Sequence, residues 1–91
     1  MIERTATVAT RVGLHARPAA IFSEAAADFD LDITIARQGE PAEDAMDAAS
    51  MLGLMSLGVE FGEVVVLRTE GAGAEEALEQ LVKVLETDHD A

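Results

Sequence analysis

Gly13-Leu14-His15-Ala16-Arg17-Pro18-Ala19 is the stretch on which both fold and chemistry turn. Upstream, from Ile2 to Ala9, short, β-branched and alternating residues predict a strand, and Gly13 then supplies a turn. Downstream, from Ala16 to Phe29, Ala19, Phe22, Ala25, Ala26 and Phe29 recur at helical spacing and leave Ala20, Glu24, Ala27 and Asp28 on another face. The stretch is therefore a strand-to-helix corner. With the helix opening at Ala16, His15 is its N-cap, and the backbone N–H groups of Ala16 and Arg17 have no partner inside the helix. Pro18 lacks an N–H and pre-sets the backbone, so it costs little in a first turn.

Free N–H groups and the helix dipole make such a corner an anion site, favouring a nearby negative charge by roughly 0.3–1 kcal/mol. Arg17 adds a fixed cation with bidentate donors, and Arg11 is close in sequence. A neutral imidazole is a nucleophile near neutral pH, and attack on a phosphate ester or phosphohistidine would leave the phosphoryl group on His15. One arginine and a few backbone dipoles, without a metal, suit a carrier, because a stronger cradle would turn a relay into a trap. A lone histidine at a helix start is also a common plain cap. From the residues alone both roles stay open.

Working outward, Leu31, Ile33 and Ile35 alternate with Asp32, Thr34 and Ala36, which predicts a half-buried strand ending in the turn Gln38-Gly39-Glu40-Pro41. Pro41 to Ala49 is acidic and alanine-rich, so only a short edge strand held by tertiary context is expected there. Ser50 opens and Gly58 closes a short helix around Met51-Leu52-Gly53-Leu54-Met55-Ser56-Leu57. Glu63 to Thr69 is nearly all apolar and reads as a central strand with neighbours on both sides. From Ala74 to Glu86 a stripe of Ala74, Ala77, Leu78, Leu81 and Leu85 predicts a third helix, with Glu75, Glu76, Glu79 and Lys83 facing water. Residues 88–91 have no apolar anchor and are expected to fray, and His89 among them carries no role. The element order predicts an α+β sandwich with one helical face and one exposed sheet face.

The 91 residues suffice for one domain, with no composition shift to mark a second. Without Trp or Tyr and with only three Phe, the core must be mostly aliphatic. The absence of cysteine excludes disulfides and thiolate zinc sites, and no signal-peptide pattern opens the chain, so a soluble cytoplasmic protein is expected. No apolar run approaches the roughly 20 residues that span a bilayer. Eighteen acidic against six basic residues give a formal charge of −12, which disfavours nucleic acid and anionic membranes. Lys83 is the sole lysine. Acid spread along the chain with almost no lysine suits a very salty cytoplasm, where charges are screened within about 3 Å at ~1 M salt.

The stretch 13–19 resembles the active-site signature of the HPr family, the histidine phosphocarriers of the sugar phosphotransferase system. Ser50-Met51-Leu52-Gly53-Leu54-Met55-Ser56-Leu57-Gly58 resembles the family's second-helix motif, at compatible spacing. The resemblance spans nearly the whole chain. It implies an open-faced sandwich: a four-stranded antiparallel sheet in the order first, fourth, second, third, with three helices on one face. It also implies that His15 takes a phosphoryl group on Nδ1 from phosphorylated enzyme I and passes it to a sugar-specific IIA protein, with Arg17 and the backbone of Ala16 and Arg17 steadying it. Neither cofactor nor metal is expected, and a monomer is. Val12 departs from the small polar residue many members have there, and residues 38–47 read as a few residues longer than in common bacterial relatives.

Ser50 falls where some members are phosphorylated by a regulatory kinase, though Ser N-caps a helix for about 1 kcal/mol without any kinase, and Ala49 replaces a lysine frequent in those relatives. Ala20, Met51, Leu52 and Met55 are expected to dock partner proteins, methionine being adaptable, although Leu52 and Leu54 equally suit the core. Two other functions compete. A regulatory module of the same fold would act through partner binding and Ser50 phosphorylation, but the intact His15 and Arg17 disfavour it. A domain that merely binds a small anion does not account for both motifs.

Overall fold

The computed structural model describes residues 1–11, 13–14 and 16–87. The expectations for Val12, for His15 as an N-cap, and for the tail 88–91 with His89 lie outside the described residues.

Four strands form one antiparallel sheet in the order β1-β4-β2-β3. β4, Val64–Thr69, holds the middle: β1, Ile2–Thr7, pairs on one side with Thr7 opposite Val64, and β2, Thr34–Arg37, on the other with Ala36 opposite Val66. Val65, Leu67 and Thr69 are buried on the helix-covered face of β4. The near-continuous apolar run at 63–69 thus marks the strand with a neighbour on each side.

α1, Ala16–Ala27, and α3, Ala74–Leu85, pack on each other, and α3 lies on β1 and β4. The core face of α3 is the stripe expected from its spacing: Ala74, Ala77, Leu78, Leu81 and Leu85 are all buried. Phe22 anchors α1, fully buried, and such burial contributes roughly 1.5–3 kcal/mol. α1 ends two residues before Phe29. Its last turn tightens, with Asp28 N–H reaching the carbonyls of Glu24 and Ala25 and Phe29 N–H that of Ala26.

α2, Met51–Leu57, is capped as its punctuation predicts. The Ser50 side chain accepts from Gly53 N–H at 3.0 Å, and Gly58 takes the left-handed conformation, φ 66°, that a residue with a Cβ avoids.

The acidic segment 41–49 forms a single 3-10 turn, Ala42–Asp44, and then the two-residue strand β3, Met46–Asp47, at the sheet edge. Thr34 faces Asp47 and Ile35 faces Met46, so the pairing rests on the partner strand rather than on local propensity. One expectation fails on the open face. Ala36 alternates away from Ile33 and Ile35 as expected, yet it is fully buried. Its methyl lies beside Val66, also buried, and larger neighbours on a twisted sheet cover so small a side chain.

Candidate functional site

The residues before His15 are held by two other parts of the chain. On one side, Ala9 N–H donates to the Leu85 carbonyl at 3.0 Å, and Thr10, buried, donates its hydroxyl to the Thr87 carbonyl at 3.3 Å. The end of α3 thus backs the loop. Gly13 N–H then bonds the Thr10 carbonyl at 2.9 Å, closing a turn. On the other side, Leu14 N–H donates to the Val59 carbonyl at 3.0 Å. Gly13 has φ 74°, and a Cβ there would collide with the Val59 carbonyl oxygen and come within 2.9 Å of the Glu60 Cα. Both constraints are backbone constraints, so only glycine fits.

α1 begins at Ala16, one residue after His15, as the corner reading requires. Its first turn contains no acidic residue, whereas α3 has Glu75 and Glu76 in its first turn and Lys83 in its last, matching its dipole. Arg17 is exposed in the first turn of α1 and takes part in neither the Arg37–Glu63 nor the Arg68–Glu3 ion pair. A cation at the positive end of a helix is unfavourable by itself. An anion held between the N–H groups and the guanidinium reverses that sign, so the local charge suits a bound phosphoryl group.

The helices that carry the two motifs, α1 and α2, pack on each other. Met51 and Met55 are exposed, and Leu52 is 81% exposed while Leu54 is fully buried. The division expected of the short helix therefore falls between Leu52, on the surface, and Leu54, in the core. Ala20 is half-buried rather than exposed, because α1 turns that face partly toward its neighbours. Ser50 uses its hydroxyl oxygen as the α2 cap.

Two features escape the sequence reading. Phe61 is 60% exposed at the tip of the turn after α2, on the segment that touches Gly13; its signal was an aromatic residue set between Glu60 and Gly62. Arg37 reaches from the end of β2 to the same segment, donating to the Gly58 carbonyl at 2.7 Å and to Glu63 Oε2 at 3.2 Å. Nothing in a local pattern signals that contact. The Glu63 carboxyl is held below its ordinary value, chiefly by the Glu60 N–H it accepts; burial opposes this, and the Arg37 guanidinium adds a further lowering. A groove of about 370 Å³ between α1 and α3, lined partly by Ala25, Phe29 and Leu81, includes no residue of either motif.

Among the described residues no helix is long and apolar enough to cross a membrane. The family model described as the PTS HPr component phosphorylation site matches residues 2–87. The chain is 48% identical over 86 residues to a phosphocarrier protein HPr of Haloferax volcanii, covering 94% of each chain. It is 45% identical to a phosphocarrier protein HPr of Streptomyces coelicolor, covering 93% of this chain and 88% of that one. Its fold superposes on the crystal structure of a phosphocarrier protein HPr from Bacillus anthracis with a TM-score of 0.82 and 38% identity, over 92% of this chain and 95% of that one. The likeness to a Haloferax protein agrees with the salt adaptation read from the charge of −12. With both motifs, the 1-4-2-3 sheet and these relatives in agreement, the chain belongs to the HPr phosphocarrier family of the phosphotransferase system.

Proposed function

We propose that this chain accepts a phosphoryl group on His15 from phosphorylated enzyme I and donates it to a sugar-specific IIA protein. The Nδ1 lone pair of neutral His15 attacks phosphorus, the donor's bond to phosphorus breaks with its electron pair returning to the donor, and a N–P bond forms on His15. The reverse displacement by the acceptor regenerates free His15. The chain is thus a carrier consumed and restored in each cycle rather than a catalyst of its own reaction.

The observation that supports this most is the first turn of α1. It starts directly after His15, holds no acid, and carries the exposed Arg17 where only an anion makes a cation favourable. Arg17 and the N–H groups of Ala16 and Arg17 then steady the phosphoryl oxygens, while Met51, Leu52 and Met55 contact the partners beside it. In a salty cytoplasm long-range steering is weak and apolar contact is strengthened, so these side chains suit the environment. The chain works as a monomer; a mass of two chains in light scattering would overturn that part.

The deciding experiment mixes the chain with enzyme I of its organism and phosphoenolpyruvate. An acid-labile, base-stable phosphoryl adduct is expected, lost in His15→Ala. No adduct on the unaltered chain overturns the reading.

A further inference from the structure

One guanidinium nitrogen, Arg37 Nη2, joins two points of the segment after α2: the Gly58 carbonyl at 2.7 Å and Glu63 Oε2 at 3.2 Å. The same Oε2 accepts Glu60 N–H at 2.9 Å, and Glu63 N–H returns to the Glu60 carbonyl at 3.1 Å. Gly62 N–H and Glu63 carbonyl are tied to Val8 at 2.8 and 2.9 Å. The segment is therefore pinned at Gly58, Glu60, Gly62 and Glu63. Between these pins lies Val59, fully buried, whose carbonyl receives Leu14 N–H and abuts Gly13. Leu14 immediately precedes His15 in the chain.

The pair is poorly explained as a stabilising device. Its side chains are 38% and 39% exposed, a setting in which ion pairs contribute little. Arg37 Nε is moreover buried without a partner among the described residues, which costs free energy that an apolar side chain at this position would not incur. The bonds of Arg37 and Glu63 instead fall on Gly58 and Glu60, the residues on either side of the Val59 carbonyl that receives Leu14 N–H.

We propose that Arg37 and Glu63 are positioning residues for phosphoryl transfer at His15, acting through the Val59 carbonyl and Leu14 N–H. The inference rests on the carrier reading above. A reacting nitrogen must sit within a fraction of an ångström of its line of attack, and loosening its loop lowers the rate of the transfer step more than it weakens partner binding.

The test measures transfer from phosphorylated enzyme I to Arg37→Met, Arg37→Lys, Glu63→Ala and the double variant Arg37→Met/Glu63→Ala, with Arg68→Met as a control that removes the other described ion pair. Hydrogen exchange at the Leu14 amide is followed in each. Arg37→Met and Glu63→Ala are expected to lower kcat roughly tenfold with KM for the carrier nearly constant. The double variant should be no slower than either single one, Arg37→Lys should recover part of the loss, and Arg68→Met should change nothing. Leu14 exchange should accelerate in the slow variants by more than any change in their global stability accounts for. A rise in KM alone, or an unchanged kcat beside faster Leu14 exchange, would overturn the proposal. An unaltered chain that enzyme I does not phosphorylate overturns the carrier reading instead, and unchanged Leu14 exchange in the variants overturns the clamp independently of it.

Discussion

Leu14 and Val59 are joined by a 3.0 Å backbone hydrogen bond, and this bond places the turn after α2 directly against the loop that leads to His15. Residues 45 positions apart in the chain thus share one strut.

Gly13 is where that strut is least tolerant. Gly13→Ala combines a positive φ with a backbone clash, and it is expected to cost about 2 kcal/mol or more in urea denaturation and to slow phosphorylation. Gly39→Ala is the comparison, since φ is 92° there but nothing lies within 4 Å of the added Cβ. It should cost about 1 kcal/mol and leave transfer intact. Equal costs at the two sites would show that the close approach to Val59 does not matter.

Ser50→Ala removes an acceptor that Gly53 N–H uses at 3.0 Å. A loss of about 1 kcal/mol in chemical denaturation is expected, with Ser50→Asp nearly neutral because it keeps an acceptor at the helix start. Phosphorylation by enzyme I should stay within about twofold in Ser50→Ala, because a lost cap frays only the first turn of α2.

The exposed side chains of α2 should affect partner binding rather than folding. Met51→Glu/Met55→Glu, and separately Leu52→Glu, are expected to raise KM for transfer from enzyme I severalfold while changing stability by less than about 0.5 kcal/mol, as exposed substitutions do. Unchanged transfer kinetics would remove these residues from the docking surface.

Glu63 makes stability depend on pH in a definite direction. Its folded pKa is lowered from the ordinary 4.5, so on acidification the unfolded chain takes up this proton first. The contribution is fully present above 4.5 and is lost as pH falls through the lower folded value. Glu63→Gln should flatten the acid side of the stability curve in that interval, read by denaturant titration at successive pH values. A slope unchanged by the substitution would exclude Glu63 as its source.

A formal charge of −12 on 91 residues should make folding salt-dependent. The melting temperature is expected to rise by several degrees between about 0.1 M and about 1 M KCl, where the screening length falls from roughly 10 to 3 Å. Equal melting at both concentrations would remove the case for salt adaptation.

Much of this architecture is local and can be read from the chain. Ser50 and Gly58 bracket α2, the 3.6-residue stripe of α3 is its buried face, and the apolar run of β4 makes it central, because each depends on neighbours within a turn or a strand pair. The signature at 13–19 likewise announces a helix start beside a histidine and an arginine. What only the tertiary structure decided involves partners distant in sequence. Segment 41–49 condenses to a 3-10 turn and a two-residue strand because β2 offers it an edge. Ala36 is buried by its neighbours across the sheet, and Leu52 and Leu54 take opposite fates according to which side of α2 meets the rest of the fold. The Arg37–Glu63 pair and the seat of Gly13 against Val59 leave no periodic trace at all. A pattern of spacing records which face of an element is apolar, whereas the meeting of two loops is set by where whole elements pack, and that geometry exists only once the chain has folded.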